Sequence, residues 1–281
     1  MTIPLPQLDA IVERALHEDL DGGDLTTEAT VDAATRATGT AVARSPLVAC
    51  GAEVFFRVFA RLCPEVEREQ LAAEGELVAR DTPLWRVRGP ARALLMAERT
   101  ALNLTQRMSG IATLSRRYVD ALPPGSKARV TDTRKTTPGL RPLERYAVRC
   151  GGAFNHRDSL GSAVLIKDNH IVAAGGIGAA VARARARAPH TSRVEVEVDT
   201  MAQLDEALAA GADIILLDNF SLDELDVGVR RVAGRAIVEA SGGVTLERIS
   251  AIAATGVDVI SAGALTHSAP AADIGLDLTL D

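Results

Sequence analysis

The stretch RVEVEVDTMAQLDEALAAGADIILLDN, residues 193–219, carries two short β-rich runs with one helical run between them. Val194, Val196 and Val198 alternate with Glu195, Glu197 and Asp199, so the two-residue period of a strand puts valines on one face and acids on the other. Thr200–Ala210 reads as a helix, and glycine 211 closes it before Asp213–Asp218 opens the next strand. The unit recurs: AAGADII near 209 is echoed by ATGVDVI near 254. Outward from here, Arg129–Thr133, Ala163–Lys167, Arg193–Asp199, Asp213–Asp218, Ala236–Ser241 and Val257–Ala262 read as strands, with Leu222–Ala233 and Thr245–Thr255 as later helices. Such alternation predicts parallel strands with helical crossovers, and its repetition favours a (β/α) barrel. A doubly wound open sheet is the competing arrangement, but no GxGxxG follows a first strand.

Upstream the texture is mixed. Gln7–Leu16 has a helical stripe, DGGDLTT follows as a turn, Thr38–Ala49 and Leu77–Val87 alternate like strands, and Ala52–Leu62 is helical between them. Arg92–Leu122 reads as a long helix, with Gly110 as its expected interruption and Pro123-Pro124 as its stop. At 281 residues the chain can hold a barrel and a smaller domain. Hydrophobic residues at 47% and charged residues at 24% are ordinary for a globular protein, and a net charge of −6 argues against nucleic-acid binding. Cys50, Cys63 and Cys150 form no CxxC pair, which fits buried thiols in a reducing compartment. The start, MTIPLPQLDAIVERALHEDL, lacks a signal-peptide pattern, and the charge-free run Ile171–Ala182 is too short and glycine-rich to span a bilayer. A cytoplasmic protein without membrane or nucleic-acid partners is expected.

The strand runs finish in Asp132-Thr133-Arg134-Lys135, Lys167-Asp168-Asn169-His170, Glu197 and Asp199, Asp218-Asn219, Ser241-Gly242-Gly243, and Gly263. In a barrel the carboxyl ends of the strands build the active site. One polar ending is an ordinary helix cap; six in succession are not. Only three of the 31 basic residues are lysines, and Lys135 and Lys167 both fall at strand ends, where a compact ammonium differs from a planar fork. The inward acids of VEVEVD, joined by Asp218, need cations, metal or hydroxyls to satisfy them. Between 129 and 167, Arg129, Arg134, Lys135, Arg141, Arg145, Arg149, Arg157, Lys167 and His156 outnumber the acids, which suits a small polyanionic substrate. Arg145 and Arg149, at i and i+4, read as helix surface. SGG at 241–243 and AGAL at 262–265 offer backbone amides to a phosphate.

AERTALN around Arg99, SGIAT at 109–113, DTRKTTPGLRPLERYAV at 132–148, GGAFNHR at 151–157, LIKDNHI at 165–171, VEVEVDT, LLDN, EASGG and SAGALTHS together resemble quinolinate phosphoribosyltransferases nearly end to end. The resemblance implies an α/β fold: an incomplete (β/α) barrel with an N-terminal α/β open sandwich domain. It places the sandwich at 1–115, the barrel at 116–269, and a last strand at about 270–281 returning to the first domain. It implies that Arg134, Lys135, His156, Arg157 and Lys167 bind the two carboxylates of quinolinate. Glu197 and Asp218 would hold the ribose hydroxyls of phosphoribosyl pyrophosphate and its magnesium (Mg2+), the metal indirectly. Ser241, Gly242 and Gly263 would take the 5′-phosphate. Lys135, Lys167, Glu197 and Asp218 are the candidate catalytic groups. A homodimer or hexamer is implied, in which Arg99 reaches a neighbouring subunit's site. Ala153 stands where the family usually has another glycine, which matters only if that backbone needs positive φ. A molybdenum-transport-operon relative, a barrel aldolase using Lys167 as Schiff base, and a non-enzymatic phosphate-binding barrel are the rivals.

Overall fold

The computed structural model describes residues 2–281. In chain order the elements are α1 (Leu5–Leu20), α2 (Leu25–Thr30), β1 (Arg36–Ala43), β2 (Leu47–Val48), α3 (Ala52–Leu62), β3 (Glu67–Gln70), β4 (Leu77–Val78), β5 (Pro83–Pro90) and α4 (Ala91–Asp120). There follow β6 (Arg129–Thr131), α5 (Arg141–Cys150), β7 (Val164–Ile166), α6 (Asp168–Ala174), α7 (Ile177–Arg187), β8 (Val194–Val198), α8 (Met201–Ala209), β9 (Ile214–Asp218), α9 (Leu222–Val232), β10 (Ile237–Ser241), α10 (Ile249–Ala254), β11 (Val259–Ser261), α11 (Ala264–His267) and β12 (Ile274–Leu280). They form two compact units. One comprises the described residues up to 116, together with 136–152 and 268–281; the other comprises 117–135 and 153–267.

The first unit is built on a four-stranded antiparallel sheet in the order β12-β1-β5-β3. Its alternation is clearest in β1, where Ala37 and Ala41 are fully buried. The run read as one strand over Thr38–Ala49 is two, β1 and β2, broken at Arg44–Pro46; Leu77–Val87 likewise divides into β4 and β5. β3, with sequence EREQ and every residue exposed, carries no apolar alternation and was not legible as a strand. Helix α3 supplies the apolar face. Phe55 and Phe59 have ring centroids 4.8 Å apart, and Trp85 of β5 lies 5.1 Å from Phe55. Each of these fully buried rings contributes about 2–3 kcal/mol of burial.

Helix α4 runs unbroken through Gly110, contrary to the interruption its glycine suggested. The glycine serves contact instead: a Cβ there would lie 1.9 Å from the carbonyl oxygen of Pro270. Helix α5 joins the same unit through Glu144, which is fully buried and accepts from Arg107 Nε and Nη2 at 3.1 and 2.9 Å and from the Thr137 hydroxyl at 2.7 Å.

The second unit is a six-stranded parallel sheet in the order β6-β11-β10-β9-β8-β7, crossed by helices. Its two edges, β6 and β7, are consecutive in sequence yet unpaired with each other, so the barrel is incomplete. A parallel bridge from Thr131 to Phe154 flanks the β6 edge. The strands are short and their interior residues apolar, as in β9, whose Ile215, Leu216 and Leu217 are all buried. Among the described residues, no helix is long and apolar enough to cross a membrane.

Candidate active site

At the carboxyl ends of the parallel strands lies a cavity of about 350 Å³ lined by Thr133, Arg134, Lys135, His156, Arg157, Leu165, Lys167, Glu197, Leu216, Asp218, Glu239, Ser241 and Ser261. Eight of these residues were singled out from sequence as substrate-binding. Of the others so singled out, Gly242 and Gly263 sit beside the cavity rather than in its lining. A Cβ on Gly263 would come within 3.1 Å of Lys135 Cδ and of the His267 ring. Arg99 is exposed on α4 of the first unit and does not line the cavity. Asp199 also stands outside it: β8 ends at Val198, and Asp199 is exposed beyond the row of inward acids.

The cationic side is held by Asp132. This fully buried carboxylate follows β6 and accepts Asn155 Nδ2 and the His156 backbone N–H, each at 2.7 Å. It thereby pins the Asn155-His156-Arg157 segment across from β6. The Thr266 hydroxyl donates to the Lys135 carbonyl at 2.7 Å, fixing the loop that carries Arg134 and Lys135.

His156 Nε2 lies 3.4 Å from the Glu195 carboxylate and 3.5 Å from Glu239 Oε1. Burial works against charge on this ring, but its hydrogen bond to the Glu195 carboxylate and the adjacent Glu239 carboxylate outweigh it and push the imidazole up to about 10. His156 is therefore a cation at neutral pH. Burial, partly offset by His156, raises Glu195. Arg157 donates Nη1 to the Ala163 carbonyl at 3.0 Å, and its Nε is buried without a hydrogen-bond partner among the described residues. Burial, then the neighbouring Arg134 guanidinium, pull Arg157 below its ordinary value. Like charges crowded in this way call for an anion between them.

The acidic side comes from adjacent strands. Glu197 of β8 forms an ion pair with Lys167, just past β7, while Asp218 closes β9 and accepts Asn219 Nδ2 at 2.7 Å. Asn219 has φ 58 and donates its N–H to Ser241 O at 2.9 Å. Gly242, at φ +83, packs against this turn: a Cβ would lie 2.2 Å from Asn219 Oδ1, so no other residue fits without displacement. Sequence reasoning missed Glu239. Its signal was an acid inside the otherwise apolar run AIVEAS, on the inward face shared with Ser241.

Fold and site together define an α/β-barrel enzyme with a strongly cationic pocket, edged by the carboxylates of Glu197, Asp218 and Glu239, at the ends of its strands. The family model described as "Quinolinate phosphoribosyl transferase, C-terminal domain" matches residues 111–277, and its N-terminal-domain counterpart matches 24–109. The chain belongs to the quinolinate phosphoribosyltransferase family. It is 48% identical over 273 residues to the nicotinate-nucleotide pyrophosphorylase [carboxylating] of Mycobacterium leprae, covering 95% of each chain. With the human protein of that name it is 40% identical, covering 99% of this chain and 94% of the relative. The crystal structure of NadC from Streptococcus pyogenes matches with a TM-score of 0.95 at 40% identity, covering 100% of this chain and 99% of the other. The nicotinate-nucleotide pyrophosphorylase of Francisella tularensis matches at 0.94 and 38% identity, covering 99% and 98%.

Proposed function

We propose that this enzyme transfers the phosphoribosyl group of phosphoribosyl pyrophosphate to quinolinate with loss of carbon dioxide, giving nicotinate mononucleotide and pyrophosphate. The reading rests on one observation above all: Arg134, Lys135, His156, Arg157 and Lys167 converge on the same cavity as Glu197 and Asp218. Five cationic groups around one pocket suit the two adjacent carboxylates of quinolinate. The crowded pair Arg134 and Arg157, with the His156 imidazolium beneath, orients the ring so that its nitrogen faces the acidic side.

The pyridine nitrogen attacks the anomeric carbon as the bond to pyrophosphate breaks. Positive charge grows on the ribose ring, and Glu197 and Asp218 stabilise it electrostatically. Lys167 must exchange Glu197 for a substrate carboxylate when both ligands are bound. The resulting pyridinium holds the electron pair left at C2 when that carboxylate departs as carbon dioxide, and a proton then replaces it. Glu197 and Asp218 are hard oxygen donors on neighbouring strands, which fits a magnesium ion kept largely in its water shell. Such an ion would neutralise the charge of the pyrophosphate group. Ser241 and the consecutive left-handed Gly242 and Gly243 (φ 83 and 56) would present backbone amides to the 5′-phosphate, with Gly263 leaving room beside Lys135.

Arg99, exposed on α4, is proposed to complete a neighbouring subunit's site in a homodimer or hexamer, and the free thiols fit a cytoplasmic protein. The aldolase reading loses ground because Lys167 sits against Glu197 rather than in an apolar pocket. The test is to mix the protein with quinolinate, phosphoribosyl pyrophosphate and magnesium. Stoichiometric carbon dioxide and nicotinate mononucleotide support the reading; product that forms equally well from nicotinate defeats it.

A further inference from the structure

Cys50, Glu74 and Cys150 meet inside the first unit, far apart in sequence and without a part in the proposed reaction. The two sulfurs and a Glu74 carboxylate oxygen lie within 4.8 Å of one another. Cys50 precedes α3 and is fully buried, while Cys150 is the last residue of α5 and is half-buried. The elements carrying them are tightly apposed: a Cβ on Gly75 would come 3.0 Å from the Cys150 carbonyl oxygen.

A bound metal suits this cluster poorly. Glu74 already accepts from Gly51 N–H at 2.9 and 3.2 Å, Ala52 N–H at 2.7 Å, the Tyr146 hydroxyl at 3.0 Å and the Cys150 thiol at 3.4 Å. The carboxylate is thus satisfied without an ion, and three ligands fall short of the four of a structural zinc site. The same bonds make the loss of the Cys150 thiol hydrogen tolerable, since Glu74 keeps its other donors.

We propose that Cys50 and Cys150 are an oxidisable pair that closes to an intramolecular disulfide by exchange with a small-molecule disulfide such as oxidised glutathione. The Cys150 thiolate, the more accessible, attacks one glutathione sulfur; a mixed disulfide forms and one glutathione thiolate leaves. The Cys50 thiolate then attacks the Cys150 sulfur and expels the second glutathione. The two protons of the protein thiols pass to the two leaving thiolates, so one disulfide is reduced as another is made. Exchange is slow, because Glu74 stands beside both sulfurs and burial, with Cys150 and Glu74 adding to it, pushes the Cys50 thiol up. The cross-link joins the α3 entry loop to the end of α5.

The full chain, first reduced, is incubated with oxidised glutathione and digested without reductant for mass mapping. The expected result is a fall in free thiols from three to one, with Cys63 remaining free and a single peptide pair joining Cys50 to Cys150. A dithiothreitol-reversible rise in Tm of roughly 5 °C should accompany it. In Cys50→Ser the adduct should stop at glutathionylated Cys150. A glutathione adduct that persists on Cys150 in the natural sequence, a linkage through Cys63, or one zinc ion retained by the reduced protein through dialysis would each overturn the proposal.

Discussion

Arg157→Met removes a guanidinium while keeping most of its apolar stem. In the free protein Arg157 spends Nη1 on Ala163 and leaves Nε buried without a partner, so its remaining donors are the ones available to a substrate carboxylate. A charge-assisted hydrogen bond lost from such a site costs about 1.5–3 kcal/mol, which is roughly a 10- to 150-fold rise in the Kd for quinolinate. Folding stability should respond differently. The variant loses the bond to Ala163 but also escapes the burial and the Arg134 repulsion that disfavour its charge. These effects oppose each other, and Tm should stay within about 2 °C of the parent. Calorimetric titration with quinolinate and, separately, with phosphoribosyl pyrophosphate reads the first quantity, and a thermal scan the second. A quinolinate Kd that rises less than about threefold, or an equal loss for both ligands, would refute the assignment of Arg157 to the dicarboxylate.

Lys135→Ala should weaken quinolinate about tenfold and phosphoribosyl pyrophosphate much less, as judged by the same titrations. Gly110→Ala should leave little folded protein by circular dichroism, since the new Cβ would need the Pro270 backbone to move from 1.9 Å to van der Waals distance. His156 is raised from 6.5 to about 10, so its stabilising contribution is complete below about pH 6.5, declines above it and is gone once pH passes 10. Urea unfolding of the parent and of His156→Gln across that range should therefore show a stability difference that shrinks with rising pH; a difference that grows would contradict the buried imidazolium.

The parallel sheet was legible because its strands are short apolar runs with polar ends, and each expected strand lies within two residues of an observed one. The candidate pocket was legible for the same reason: strand-end charges such as Lys167, Glu197 and Asp218 cannot be explained by an apolar core. What escaped was whatever depends on distant pairing. Glu239 reveals its partner only when β10 brings it beneath His156. Asp132 looked like one more strand-end charge, yet it is fully buried and orders the segment bearing Arg157. β3 has no periodicity to read, because its place comes from pairing with β5 along an exposed edge. Gly110 misled because a glycine that lets another backbone approach looks, in sequence, like one that ends a helix.

The antiparallel sheet has a temporal consequence. β1 receives β12 along nearly its whole length, from Ala37 opposite Leu280 to Ala43 opposite Ile274. A ribosome must therefore polymerise every strand of the barrel before β1 gains its second neighbour. Until then the nascent chain carries an open row of amides and carbonyls that any passing extended polypeptide could occupy. Chaperone demand during synthesis should fall on that flank, and polypeptides shortened before Ile274 should precipitate rather than remain as functional fragments.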